Sequence, residues 1–453
     1  MTYASEAGNF SIALGGDCLL TRKLSIFDEP AFLELANIIR ACDAGFVNLE
    51  TVVRRWDEGE PGITQGTFMT TPPELLEDLK WFGLNMVNCA NNHMFDYGRD
   101  GLMATIKHLD EAGITHAGTG ANLAEARMAR YRDTKGGRVA LLGTTATYRP
   151  WNAAGAQRQD IKGRPGVNPF PSKVTYTIDD EAFRALQRMG RELGFERTRE
   201  RNATHFYSEA ELGLSGADRT TAFGTNFVRG DKFTAVAHGS REDIDDILRW
   251  VKEARRMADW VVVSFHTHDF SQASMMNART RGELEEPADF IPAFAREVID
   301  AGADVFAGHG SHTPLGVEIY KGKPIFYSLG NFIMQNETLP FFPDVAYRRF
   351  GLGPDATPSD FLDARTNNGK KGHVAHAAFW ENFLATCHFT GGRLSEVRIH
   401  PVDMGFGVAR GQRGRPVLAD EPIRDRVIER VARLSRAYGT KVENRNGTGV
   451  ITL

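Results

Sequence analysis

Five apolar runs in this chain each stop at residues that can bind a metal or carry a proton, and this repetition limits the possible folds more than any other feature. Three are Ile12-Ala13-Leu14-Gly15-Gly16-Asp17, Phe46-Val47-Asn48-Leu49-Glu50, and Met86-Val87-Asn88-Cys89-Ala90 closing on Asn91-Asn92-His93. The fourth, Trp260 to Phe265, leads into His266-Thr267-His268, and the fifth, Ala303 to Ala307, into Gly308-His309-Gly310-Ser311-His312. Short apolar runs bounded by turn signals read as buried strands. Helical patterns are expected between them, over residues 29–41, 72–82, 98–112, 241–257 and 287–301. Strands alternating with helices predict an α/β fold with a largely parallel sheet. Ligands of such folds sit at the carboxyl ends of the strands. One layered sheet is therefore expected to gather these Asp, Glu, Asn and His groups along one edge.

The residue types point to metal or acid/base chemistry. Carboxylates and imidazoles suit Mn, Fe or Zn, and two ions sharing a carboxylate clamp the attacking and leaving oxygens of a displacement. Glu50 is the candidate for that shared ligand. Asp17 follows two glycines, which allow close backbone approach at a strand end. Three consecutive polar residues closing an apolar strand, Asn91-Asn92-His93, would be costly if buried without partners. Strand alternation puts His266 and His268 on one face, so either or both can point into the site. Asp96 and His116 read as structural, Asp96 as a brace for the turn into Tyr97-Gly98.

The order Gly16-Asp17, Asn48-Leu49-Glu50, Ala90-Asn91-Asn92-His93-Met94-Phe95-Asp96-Tyr97-Gly98, Gly118-Thr119-Gly120-Ala121-Asn122, and then the block from Gly302 through Phe332 resembles the CapA-type poly-γ-glutamate capsule proteins. That family is a branch of the calcineurin-like metallophosphoesterases. The resemblance runs over residues 9–333. It implies an α/β fold of layered sheets flanked by helices and carrying one or two divalent transition metal ions. By similarity Asp17 and His312 belong to one metal position, Asn92, His266 and His309 to the other, and Glu50 bridges them. His93 resembles the histidine beside the substrate that protonates a leaving group. His266 is the ligand by family position, which leaves His268 facing the substrate. Two departures stand out. Leu19 occupies the place of a histidine usual two residues after the first aspartate, and the last histidines are spaced His309-x-x-His312. A site with fewer ligands binds its ion less tightly, so one metal or none is the alternative to two.

Length and charge narrow the partners. A chain of 453 residues can bury a large core, and one catalytic domain over 9–440 is expected. Lys and Arg number 54 against 58 Asp and Glu, a net charge of -4, so no basic field invites nucleic acid. Cys18, Cys42, Cys89 and Cys387 lack metal-type spacing; three read as buried thiols, while Cys18 adjoins Asp17. The first ten residues show no signal-peptide pattern, and no apolar stretch is long enough to span a bilayer. Both departures from the anchored capsule proteins predict a cytoplasmic enzyme without membrane contact.

Two irregular insertions are expected within the domain. Residues 145–235, rich in Arg, Gly and Pro, read as a lid containing an amphipathic helix over Thr177 to Leu193. Arg164, between Gly163 and Pro165, is the candidate for gripping an anionic substrate group. Residues 334–377 hold Phe341, Phe342, Tyr347 and Phe350, as an apolar wall or as packing beneath a loop. Asn331, at the end of the Pro324–Leu329 strand, joins His268 and Arg164 as a substrate-side candidate or orients a ligand from behind. Antiparallel strands near 383–389 and 394–401 follow, and a charged helix over 421–437 closes the fold. The expected function is a metal-dependent hydrolase of a phosphoester or a γ-glutamyl or peptide amide, on a small molecule or peptide bearing an anionic group. The alternative is a metal-free isomerase, akin to a peptide epimerase, with Asp17 and His309 as its acid/base pair.

Overall fold

The computed structural model describes residues 8–64 and 66–453. The amino-terminal residues 1–7, which carry most of the segment read above for a leader, lie outside them. The chain divides into two compact units, one of residues 1–170, 244–269 and 294–453, the other of 171–243 and 270–293.

Within the larger unit the strands that matter are β1 (Phe10–Leu19), β2 (Ala44–Leu49), β3 (Met86–Asn88), β4 (Thr115–Ala117), β5 (Arg130–Thr134), β6 (Gly137–Thr145), β7 (Trp260–His266), β8 (Val305–His309), β9 (Val317–Tyr320), β10 (Lys323–Phe326), β11 (Asn331–Met334), β12 (Glu381–Thr390), β13 (Arg393–Asp403), β14 (Glu443–Arg445) and β15 (Thr448–Thr452). Among the described residues they form two sheets, not the single one expected. The ten-stranded sheet runs β14-β15-β13-β12-β1-β2-β3-β4, with β11 beside β1 and the short strand Val417–Leu418 beside β13. The six-stranded sheet runs β9-β10-β8-β7-β6-β5.

Period-two alternation explains how the two sheets meet. Ile12 and Leu14 of β1, Phe46 of β2 and Met86 of β3 share a core cluster with Leu141 of β6, Val262 of β7, Val305 and Ala307 of β8 and Phe326 of β10. Their neighbours Ala13, Val47 and Val87 belong to a second cluster, with Phe32, Leu35, Leu79, Phe82 and Leu102 from the helices Pro30–Arg40, Leu76–Phe82 and Gly98–Ala112. Continuing the inward series two residues along each strand gives Asn48, Asn88, Ser264, His266 and His309. The polar groups thus occupy the carboxyl end of the layer between the sheets. Gly143 of β6 belongs to the same arrangement, because a Cβ there would collide with the Asn88 side chain.

Asp17 would break this series without a local irregularity. The β1–β2 register runs Leu14 to Phe46 and then Asp17 to Asn48, so β1 carries one extra residue across Gly15-Gly16. Such a bulge re-aims the next side chain. A Cβ on Gly16 would collide with the Gly330 carbonyl oxygen of the neighbouring strand entry.

Two expectations are corrected, and one left between two readings is narrowed. Residues 145–235 are not irregular throughout: Ser172–Ile178, Arg219–Ala222, Thr225–Arg229 and Thr234–Gly239 form a four-stranded sheet of the smaller unit, with Ile178, Phe183, Leu186 and Ala222 as its core. The alternation in Val174, Tyr176 and Ile178 was hidden by the polar composition around it, and the helix begins at Asp180, where Asp179 caps the Ala182 N–H. In the 334–377 segment, Phe342, Tyr347 and Phe350 pack on Phe361, the first with ring centroids 4.3 Å apart. That favours packing over a substrate wall. The helix Ile423–Ser435 does not close the fold, because β15 pairs with β13 after it.

Gly16→Ala forces a methyl group against the Gly330 carbonyl at the bulge. We expect it to lower stability by about 1–3 kcal/mol, the usual cost of overpacking, read as a reduced denaturant midpoint; an unchanged midpoint would show that the Gly330 segment can yield.

Candidate metal centre

The strand ends bring six of the expected groups together. His266 and His309 are direct neighbours in the parallel β7–β8 register, and Asp17 stands between Asn48 of β2 and Asn331 of β11. Asp17 is fully buried. Its Oδ1 accepts from Asn48 Nδ2 at 2.8 Å and lies 3.7 Å from His309 Nδ1 and 3.9 Å from His266 Nδ1. Its Oδ2 accepts from the Gly310 N–H at 3.2 Å and faces His312 Nδ1 at 3.1 Å. Glu50, also fully buried, directs Oε1 toward His93 Nε2 and His266 Nε2 at 3.8 and 3.9 Å, and Oε2 toward His312 Nδ1 at 3.9 Å.

Two sets of donors emerge. Asp17, His266 and His309 form one, and Glu50, His268 and His312 the other; within each set the donor atoms lie within 4.8 Å of one another. Each set offers one carboxylate oxygen and two imidazole nitrogens, a combination suited to Mn, Fe or Zn. Asn92 adds Oδ1 at 2.8 Å from His266 Nε2. These buried groups could hold a metal ion. Leu19, the position without a donor, is packed in the outer core.

Electrostatics hold the imidazoles ready. Burial, reinforced by the charges of His268, His309, His312 and His93, pushes His266 well below the usual histidine value. Burial lowers His309 to about 4, against the pull of Asp17 and with help from His312. Both are therefore neutral at pH 7, the form that binds a cation. Burial raises Asp17, but hydrogen bonding and charge from His312, charge from His309 and the Asn48 bond outweigh it, so its pKa ends below the ordinary value.

His93 sits at the edge of the cluster, 7% exposed. Its Nδ1 lies 2.6 Å from Asp96 Oδ2, which also accepts from the Met69 N–H at 2.7 Å. Asp96 was read as a turn brace; it orients His93, and the His93-x-x-Asp96 spacing was the missed signal. Burial holds Asp96 above the usual carboxylate range despite His93. Sequence reasoning also missed Asn48, whose carboxamide meets Asp17, His266, Asn88 and Asn91, and Ser264, 2.5 Å from His309 Nε2. His373 was missed too; its ring centroid lies 4.9 Å from that of His312, with the planes tilted by 56°.

The remaining candidates sit differently. Asn331 is fully buried, with Oδ1 3.0 Å from His312 Nδ1 and Nδ2 donating to the Phe379 carbonyl at 2.9 Å, so it orients His312 from behind. Arg164 is exposed and spends its fork on its own loop, donating from Nε to the Ala153 carbonyl and from Nη2 to that of Pro150. It is not part of the gathered cluster. The Cys18 thiol is buried and pushed up, first by burial and then by Asp17, which leaves it protonated.

The family described as Bacterial capsule synthesis protein PGA_cap matches residues 11–336, a span containing every residue of both donor sets. The chain belongs to this family. Several named proteins are similar to the chain. An "Uncharacterized protein y4sH" of Sinorhizobium fredii is 31% identical, covering 100% of this chain and 95% of the relative. A "Probable polyglutamine synthesis accessory protein" of Mycobacterium tuberculosis is 26% identical over 65% of this chain and 56% of its own length. The "PGA biosynthesis protein CapA" of Bacillus subtilis is 24% identical over 73% and 64%. Among the described residues, no helix is long and apolar enough to cross a membrane.

The lowered imidazoles set a pH dependence. With His266 and His309 below 6.5 in the folded state, the unfolded chain binds more protons as the pH falls, so stability is lost from about pH 6.5 downward through about pH 4. Asp17, lowered from 3.8, extends the loss to more acidic pH. Denaturant midpoints measured in chelator across this window should fall with pH, and His309→Gln should flatten the slope.

Proposed function

We propose that this member of the PGA_cap family is a metal-dependent hydrolase that acts on a phosphoester or on a γ-glutamyl or peptide amide, in a small molecule or peptide bearing an anionic group. The observation that carries the reading is the pair of donor sets, each with one carboxylate and two imidazoles, at one end of the layer between two sheets. The name of one relative, a probable polyglutamine synthesis accessory protein, favours the amide, since polyglutamine is joined by amide bonds.

Asp17, His266 and His309, with Asn92 beside them, would hold a divalent cation, which would supply Lewis acidity toward a carbonyl or phosphoryl oxygen and a better water nucleophile at neutral pH. The protein groups divide the rest of the work. Asp17, Glu50 and His266 are sealed from solvent, so a substrate meets His93, Asn92, His268 and His312 first. His93 donates Nδ1–H to Asp96, which leaves Nε2 to move a proton at the leaving group. Asn331 keeps the His312 ring in place from behind.

The isomerase alternative on Asp17 and His309 finds less support. Both residues are buried, at 0% and 1% exposure, and a base that abstracts a substrate proton must come within hydrogen-bond reach of it.

Elemental analysis of protein purified without chelator should find a divalent transition metal. Hydrolysis of a model phosphodiester or a γ-glutamyl anilide should be lost on chelation and restored by the metal. His93→Ala should lower turnover by roughly 10²–10⁴ while metal content and melting temperature stay near native. Metal-free protein with chelator-insensitive activity would overturn the hydrolase reading.

A further inference from the structure

We propose that His373, together with Lys370 and Lys371 on the same loop, receives the anionic group of the substrate and so selects it. The inference rests on the hydrolase reading above and adds to it the residues that recognise the substrate's charge. All three lie beyond the span that the family matches, residues 11–336.

With Arg164 committed to the carbonyls of Ala153 and Pro150, another group must meet that charge. His373 is half-buried, its ring centroid 4.9 Å from that of the buried His312 and 4.4 Å from that of Phe379. Two ring neighbours confine the imidazole. The backbone beneath it is held as well, since the buried Trp380 donates its Nε1–H to the His373 carbonyl at 2.9 Å. The same segment braces the site: the Phe379 carbonyl accepts from Asn331 Nδ2 at 2.9 Å, while Asn331 Oδ1 faces His312 Nδ1 at 3.0 Å. An imidazole fixed in this way beside a residue that a substrate meets early is placed to donate an N–H to an anionic oxygen.

The loop that leads to His373 carries positive charge. Asn367, Asn368, Gly369 and Gly372 have φ of 48°, 53°, 81° and 76°, a left-handed backbone that asparagine and glycine tolerate best. The turn is tied to Thr366, whose carbonyl accepts from the Lys370 and Lys371 N–H groups at 2.9 and 2.8 Å and whose Oγ1 accepts from the Gly369 N–H at 3.1 Å. Both lysines are exposed on it, and among the described residues neither is paired with a carboxylate. Alone they would be ordinary surface charge; their tie to the site is His373. In a chain of net charge -4, two ammonium groups within three residues of that histidine draw an anion to its ring.

The test separates binding from turnover on the full chain loaded with Mn²⁺, with manganese content and melting curves read alongside. Two probes distinguish the source of the charge: γ-glutamyl para-nitroanilide, which bears a carboxylate away from the amide to be cut, and bis(para-nitrophenyl) phosphate, charged at the reacting phosphorus. For whichever probe native protein cleaves, His373→Phe, which keeps a ring against His312 and Phe379 but has no N–H, should raise KM roughly 10-fold, the worth of a hydrogen bond to a charged group. Its kcat and manganese content should stay near native. His373→Gln restores a donor and should recover much of the loss. Lys370→Ala with Lys371→Ala should raise KM at low salt and flatten its dependence on ionic strength. Unchanged KM in all three variants overturns the proposal and leaves the hydrolase reading standing. A loss of manganese or of kcat in His373→Phe with KM unchanged makes the residue a support for His312 and also overturns it. Native protein that cleaves neither probe overturns both.

Discussion

A carboxylate with no access to water must find its partners inside the protein, and the buried Asp17 imposes that requirement on everything around it. Its partners come from three places: Asn48 at the end of β2, the Gly310 N–H, and His312 beyond β8. Meeting them requires the extra residue in β1, the close pass of Gly16 against Gly330, and the positive φ of Gly310 and His312. At Gly310 a side chain would run into the Thr267 carbonyl and the His266 ring. The two sheets are thus joined at their polar end by hydrogen bonds and ion pairs around a single carboxylate.

Asparagine does much of the remaining work. Asn48, Asn88, Asn91, Asn331 and Asn382 are all buried, and each carboxamide can donate and accept at once. Asn48 donates to Asp17 and accepts from Asn88 and Asn91, while Asn331 accepts a hydrogen bond from His312 and donates to Phe379. Neutral bridges of this kind satisfy buried groups without adding charge. They leave the negative charge of the carboxylates available to a cation, as the proposed function requires, and they fix the histidine rings in place.

Environment also separates the histidines by task. His266 and His309, deep between the sheets, are held neutral by burial. His93 lies farther out, with Asp96 behind its Nδ1. Under the proposed function, ligand and proton carrier are the same residue type, distinguished by depth and by the second group each one touches.

Much of this was legible in the sequence because it depends on local pattern. Apolar runs ending in Asp17, Glu50, Asn92, His266, His309 and His312 disclosed both the strands and the groups gathered at their ends, since a strand's period fixes which residues share a face. The helices Gly98–Ala112 and Arg241–Met257 followed from spacing in the same way. What the sequence could not decide were the relations between segments distant in the chain. Two sheets in place of one, the partition of donors into two sets, the bond from His93 to Asp96, the contact of the His373 ring with His312, and the confinement of Arg164 to its own loop all depend on which surfaces meet. The bulge at Gly15-Gly16 reverses the face that alternation assigns to Asp17, and a bulge is defined by the partner strand. Tertiary packing alone decided these points, because each is a distance between residues that the chain itself does not place side by side.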